Sequence, residues 1–269
     1  MDNRFFNVLF IADIIGKPGF KVLEKYVENL RQSYKPDIII ANGENASNGR
    51  GLTETLVQRL QRLGINIITS GNHIWNVSDF RSYLNNTEIV LRPANYPKET
   101  PGKGSTVFVT KDGAKIGIVN LQGRTFLYSI DCPFKRGMEE VQKLKNVTDM
   151  IIVDFHAEAT AEKLALAYYL DGRVSAVIGT HTHVQTADEK ILPMGTGYIT
   201  DAGMTGAMES VIGMEINTAI ERFIKGIPGK FVLAQNDLTI NGVYLKIENN
   251  GKAHYIERIK RPQEYEHTH

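Results

Sequence analysis

The segment NVLFIAD, residues 7–13, reads as a buried β-strand that ends on a carboxylate. A short, nearly unbroken apolar run suits a strand covered on both faces, as in a sheet with helices on either side. Outward from it, the stretch from Lys21 to Gln32 has the periodicity of an amphipathic helix that stops before Pro36, and DIIIA at 37–41 is the next strand. A helix over 53–63, halted by Gly64, leads to a third strand, NIIT at 66–69. The order β-α-β-α-β is that of an α/β domain.

The rest of the chain keeps this alternation and then changes. Ser78 offers an N-cap for a short helix, followed by the Pro/Gly-rich loop LRPANYPKETPGKGS at 91–105. Loops of that length inside compact domains often carry function. TVFVT and KIGIVNL flank KDGA at 111–114 and read as an antiparallel hairpin. Helices are expected over 133–145 and 160–170, with strands DMIIVDF at 149–155 and SAVIGT at 175–180. After Met194 come short hairpin-like strands, a helix over 217–225 and a closing hairpin of YLKIEN and AHYIERI, so the sheet is expected to be mixed. No repeat or linker divides the chain, which reads as one domain over 1–261 with a frayed tail over 262–269.

Composition limits the chemistry. Lys plus Arg number 31 against 30 for Asp plus Glu in 269 residues, a net charge of +1, so no global basic field exists to bind long nucleic acid. A single cysteine, Cys132, excludes an internal disulfide framework and fits a reducing cytoplasm. The opening MDNRFFNVLFIAD lacks the basic region and the long apolar run of a signal peptide, and no later run approaches a membrane span.

The informative residues sit just past the strands. Asp13 follows NVLFIA, Glu44 and Asn45 follow DIIIANG, Asn72 and His73 follow NIITSG, His156 follows IIVDF, and His181 with His183 follows AVIGT. Sites in α/β sheets form beyond the carboxyl ends of strands, so these residues are expected to converge. Each alone has a plain reading: Asp13 as a helix cap, Asn45 and Asn72 as turn residues, His156 as a core histidine. The His-x-His pair suits a metal, and five such ends supply more ligands than one tetrahedral ion needs, so two ions fit better.

The order of these elements decides between families. An amidohydrolase-type site has its His-x-His near the first strand and its aspartate last, the reverse of what is found here. Ala12-Asp13-Ile14, Gly43-Glu44-Asn45, Gly71-Asn72-His73-Ile74, His156 and Gly179-Thr180-His181-Thr182-His183 resemble the calcineurin-like metallophosphoesterases. Two departures narrow the likeness: Ile15 stands where the family has a histidine, and Glu44 followed by Asn45 replaces the bridging aspartate. With G-N-H-x-W, R-P-A-N-Y-P and D-A-G-M-T-G, the chain is similar to the bacterial YmdB-type 2′,3′-cyclic-nucleotide 2′-phosphodiesterases.

That resemblance implies a four-layer αββα sandwich of two mixed sheets flanked by helices. It implies two divalent or mixed-valence metal ions, iron favoured and manganese or zinc acceptable, with Glu44 bridging, Asp13, Asn45 and His183 on one ion, and Asn72, His156 and His181 on the other. It also implies a metal-activated water attacking a cyclic phosphodiester, with His73 protonating the leaving oxygen. Arg50, Thr182, Arg92, Asn95 and Lys103 are candidates for substrate contact. Trp75 reads as a wedge for its loop rather than a base-stacking platform. Homo-oligomers fall within the resemblance. The alternatives are a related esterase acting on phosphomonoesters or RNA, and a nucleotide-responsive regulatory protein.

Overall fold

The computed structural model describes residues 4–227, 229–230 and 232–262. The chain opens with β1 (Phe5–Ile11), β2 (Asp13–Ile14), α1 (Gly16–Tyr34), β3 (Ile38–Asn42), α2 (Glu54–Arg62) and β4 (Ile67–Thr69). A 3-10 turn over Asn72–Trp75 and α3 (Phe80–Leu84) lead to β5 (Ser105–Val109), β6 (Lys115–Gln122), α4 (Pro133–Lys145), β7 (Ile151–His156) and α5 (Thr160–Leu170). Then come β8 (Ala176–Thr180), β9 (Lys190–Ile191), β10 (Gly197–Ile199), β11 (Met204–Ala207), α6 (Ile216–Lys225), β12 (Leu238–Glu248) and β13 (Ala253–Arg261).

Among the described residues the strands form two sheets, ordered β2-β11-β12-β1-β3-β4, with β13 added on β12, and β5-β6-β7-β8-β10-β9. Both are mixed: β1, β3 and β4 run parallel while β12 is antiparallel to β1, and β6, β7, β8 and β10 run parallel while β5 and β9 are antiparallel. The period-two alternation of side chains explains the layers. Val8, Phe10, Ile38 and Ile40 face Ile116, Ile118, Ile152 and Ile178 between the sheets. The alternate residues Leu9, Ile11, Ile39 and Ala41 pack outward on Phe20, Leu23 and Leu30 of α1 and on Val57 and Leu60 of α2. On the far side Val119, Leu121, Val153 and Val177 pack on Val141 and Leu144 of α4 and on Leu166 and Leu170 of α5. Both faces of the central strands are therefore buried, which is why they read as continuous apolar runs.

Most expected elements stand where the sequence puts them, and the differences have local causes. α1 begins at Gly16 rather than at Lys21, because Pro18 is tolerated in a first turn, where its missing N–H costs no helical bond. Ser78 caps nothing: its hydroxyl donates to Asp79 at 3.1 Å, and α3 has no side-chain cap. After β10 the chain crosses back to the first sheet through residues 200–203, so β11 lies parallel to β2 instead of forming a hairpin with β10. Of the expected tail, residues 263–269 lie outside the described residues. No helix among the described residues is long and apolar enough to cross a membrane.

Candidate metal centre

Five strand ends meet across the seam between the sheets. The first sheet supplies Asp13, Glu44, Asn45, Asn72 and His73, and the ends of β7 and β8 supply His156, His181 and His183. Glu44 Oε1 lies 2.9 Å from His156 Nε2, which is 3.0 Å from His181 Nδ1. Asn45 Nδ2 is 3.1 Å from His183 Nε2 and 3.4 Å from Asp13 Oδ1. Asp13, Glu44, Asn45 and His156 are at most 2% exposed. The approach leaves no room for a side chain at Gly71, where a Cβ would stand 2.1 Å from His156 Cδ2 and 2.5 Å from Glu44 Oε2.

Each imidazole has its outer nitrogen engaged, which fixes its tautomer and aims the other nitrogen inward. His183 Nδ1 lies 2.9 Å from the Ile212 carbonyl, which can only accept, so Nδ1 carries the hydrogen and Nε2 faces Asp13 and Asn45. Thr180 donates its one hydroxyl hydrogen to Asp154 at 2.7 Å and thus accepts from His156 Nδ1 at 2.9 Å. Asn42 also donates to Asp154, at 3.0 Å. His181 Nε2 lies 3.0 Å from Glu158 at the cleft rim, leaving Nδ1 to point at His156. Both His181 (φ 103°) and His183 (φ 65°) adopt left-handed backbone, a strain of about 1–3 kcal/mol each.

The electrostatics are those of buried ionisable groups crowded together. Burial pushes the Asp13 carboxyl well above its usual range, the positive His156 opposes this, and Glu44, Asp201 and Asp154 add to the push. Burial works to raise Glu44 too, but the charge and hydrogen bond of His156 outweigh it and hold Glu44 at about 2. Burial likewise opposes the charged form of His156, and Glu44 overcomes it, raising the imidazole to about 9. Burial, then the positive His156, depress His181 to about 3, and burial lowers His183.

A metal fits this donor set. Asn72 Oδ1 is buried without a hydrogen-bond partner among the described residues, an orphaned acceptor that a cation would satisfy. Ligand atoms of Glu44, His156 and His181 lie within 4.8 Å of one another. Carboxylate, carboxamide and imidazole donors together suit iron, manganese or zinc.

Above these residues opens a cleft of about 280 Å³, lined by His73, Arg50, Thr182, Glu158, Ile212, Met214 and Arg222 among others. The His73 ring stands 3.3 Å from the Asn76 side-chain oxygen, while its backbone amide donates to Glu44 Oε2 at 3.0 Å. Arg92 and Lys103 are not brought to the cleft. Arg92 is 6% exposed and turns its guanidinium to the carbonyls of Pro93, Ala94 and Thr100, and Lys103 pairs on the surface with Glu88. Asn95 is likewise spent internally, donating to the carbonyls of Gln122 and Asp131. The 91–105 loop is therefore held by its own polar residues. Trp75 packs edge-on against Tyr96 with ring centroids 5.2 Å apart, as a wedge does. Sequence reasoning missed Glu158, Arg222, Asn42 and Asp154. The last two carried a signal, a polar residue inside the apolar strands IIIAN and IIVDFH.

A family model described as "YmdB-like protein" matches residues 9–259. The 2′,3′-cyclic-nucleotide 2′-phosphodiesterase of Bacillus subtilis (strain 168) is 47% identical over 253 residues, covering 94% of this chain and 96% of the relative. A putative phosphatase/phosphodiesterase of Mycoplasma genitalium is 39% identical over 271 residues, covering 97% of this chain and 94% of the relative. A novel phosphatase of Mycoplasma pneumoniae superposes with a TM-score of 0.90 at 35% identity, covering 96% and 94% of the two chains. A hypothetical protein of Thermus thermophilus does so with a TM-score of 0.87 at 40% identity, covering 95% and 98%.

Proposed function

This chain belongs to the YmdB-like family, and we propose that it is a dinuclear metal-dependent phosphodiesterase that hydrolyses 2′,3′-cyclic nucleotides to 3′-nucleotides. The observation that carries the reading is the inward convergence of three tautomer-fixed imidazoles, two carboxylates and the orphaned carboxamide oxygen of Asn72. Glu44 is the residue suited to contact both ions, since its Oε1 lies 2.9 Å from His156 Nε2 of one set and 3.3 Å from Asn45 Nδ2 of the other. Asp13, Asn45 and His183 would hold one ion, and Asn72, His156 and His181 the other. Iron is favoured by family resemblance, and manganese or zinc would suit the same donors.

Bound as a pair, the ions would acidify a water and neutralise the phosphoryl oxygens. The chain's own residues do the rest. His73 lies in the cleft wall, anchored through its backbone amide to Glu44 while its ring stays available to substrate. It is the group suited to give a proton to the departing 2′-oxygen, which otherwise leaves as a strongly basic alkoxide. Arg50 and Arg222 line the cleft and supply positive charge for an anionic ester, while Ile212 and Met214 give one wall an apolar surface for the nucleoside. The cleft's small volume favours a mononucleotide over folded RNA.

The decisive experiment is incubation of metal-loaded protein with 2′,3′-cyclic AMP, resolving 3′-AMP from 2′-AMP. Accumulation of 3′-AMP is expected. No turnover, with aryl phosphates still hydrolysed, would discard the cyclic-nucleotide assignment and leave a general phosphoesterase.

A further inference from the structure

The motif D-A-G-M-T-G begins with Asp201, which lies outside the cleft in the 200–203 crossover between the sheets, and the chemistry above does not use it. Its partner is Lys163, and both are fully buried. Lys163 shares the inner face of α5 with Leu166, Ala167 and Leu170, a position where a helix ordinarily carries another apolar residue. Its ammonium donates to Asp201 Oδ2 at 2.7 Å. The same oxygen accepts the backbone amide of Thr182 at 3.0 Å, and Oδ1 accepts the amide of Gly203 at 2.9 Å.

Thr182 is the residue between the two histidines of the His-x-His element, so Asp201 grips the ligand loop at its midpoint. Thr186 closes the grip from the far side, its hydroxyl accepting the Asp201 amide at 3.0 Å. At the near side Gly179 runs so close to the crossover that a Cβ there would stand 1.8 Å from the Thr200 carbonyl. The backbone at His181 and His183 is left-handed, a conformation that persists only where its surroundings over-determine it. A buried ion pair seldom adds net stability, because desolvating both charges offsets their attraction. What the carboxylate offers that a leucine does not is simultaneous acceptance of two backbone amides, and the lysine makes a buried anion tolerable there.

We propose that Lys163 and Asp201 are a positioning pair that fixes the His181–His183 loop, so that metal affinity depends on an ion pair outside the cleft. The proposal rests on the metal-centre reading, and its test separates the two. The variants are Asp201→Asn, Lys163→Met and their combination, with Leu166→Ala on the same helix face as a control for lost packing. In metal-free protein, hydrogen exchange of the peptide spanning 178–186 reads loop positioning directly. Exchange there should accelerate in Asp201→Asn and Lys163→Met, and remain as in the wild type in the control. Mn²⁺ affinity, by calorimetry, should fall about 10–100-fold in the pair variants. It should hold in Leu166→Ala even where the melting temperature falls as far. Unchanged exchange in Asp201→Asn, or affinity that follows melting temperature across all variants including the control, would overturn the proposal. A wild type that takes up no Mn²⁺ would discard the metal centre, while exchange still decides whether the pair holds the loop.

Discussion

At the scale of single residues, the most telling atoms are those whose partners are one-sided. His73 contacts no other histidine of the cluster in the described structure and faces the cleft, so His73→Ala should leave metal content intact while kcat falls about 10²–10⁴-fold. Elemental analysis beside steady-state kinetics checks this, and joint loss of metal and rate would make His73 a ligand instead. The pH dependence of metal uptake follows from His156, raised to about 9, and His181, depressed to about 3. Between these values His156 holds a proton that a metal must displace, whereas His181 is already neutral. Mn²⁺ affinity of the metal-free protein should therefore rise with pH by at least about tenfold per unit until His156 loses its proton near pH 9. Calorimetry in buffers of different ionisation enthalpy should show at least one proton released at neutral pH, since the raised Asp13 carboxyl adds to His156. Uptake without proton release would remove the His156–Glu44 ion pair from the account.

At the scale of elements, the strand-to-turn junctions carry the site and the long loop carries itself. Gly71 joins β4 to the 3-10 turn bearing Asn72 and His73, and a methyl group there would collide with His156 and Glu44. Gly71→Ala should consequently lower both the melting temperature and Mn²⁺ uptake, since relief of the clash pushes the turn away from β7. Normal metal uptake in that variant would mean that the turn moves freely. The 91–105 loop makes the opposite prediction. Because Arg92 bonds three loop carbonyls, Arg92→Ala should destabilise the fold by about 2 kcal/mol and leave kcat/KM nearly unchanged, as denaturant titration and kinetics would show. Loss of kcat/KM at full stability would return Arg92 to the substrate. The reading of that loop from composition failed for a plain reason. Composition marks a segment as irregular but does not say whether its cations face inward or outward, and here loop carbonyls take up Arg92 while Lys103 pairs with Glu88 on the surface.

At the scale of the whole molecule, the proposed metal centre spans both sheets, which would couple ligand occupancy to global stability. Asp13 and Glu44 come from one sheet and His156, His181 and His183 from the other, and burial already penalises Asp13. Metal at a hundredfold excess over its dissociation constant should stabilise the protein by about 2.7 kcal/mol, and a chelator should reverse the gain. Thermal melts with and without chelator measure it, and identical melting temperatures would exclude a bound ion in the folded state. Much of this was legible beforehand. The strands from NVLFIA to SAVIGT, the helices over 133–145 and 160–170, and the five strand ends bearing Asp13, Glu44, Asn45, Asn72, His73, His156, His181 and His183 follow from apolar runs and their punctuation, which are properties of neighbouring residues. The sequence by itself thus determined the alternating architecture and which residues could reach a common site. Only the tertiary structure decided that Asp201 grips Thr182 from 19 residues away, that Glu158 and Thr180 orient imidazoles, and that Arg92 serves its own loop. The first of those contacts depend on β7, β8 and β10 lying side by side in one sheet and the Arg92 bonds on how its loop folds back on itself, and no pattern of neighbouring residues encodes either.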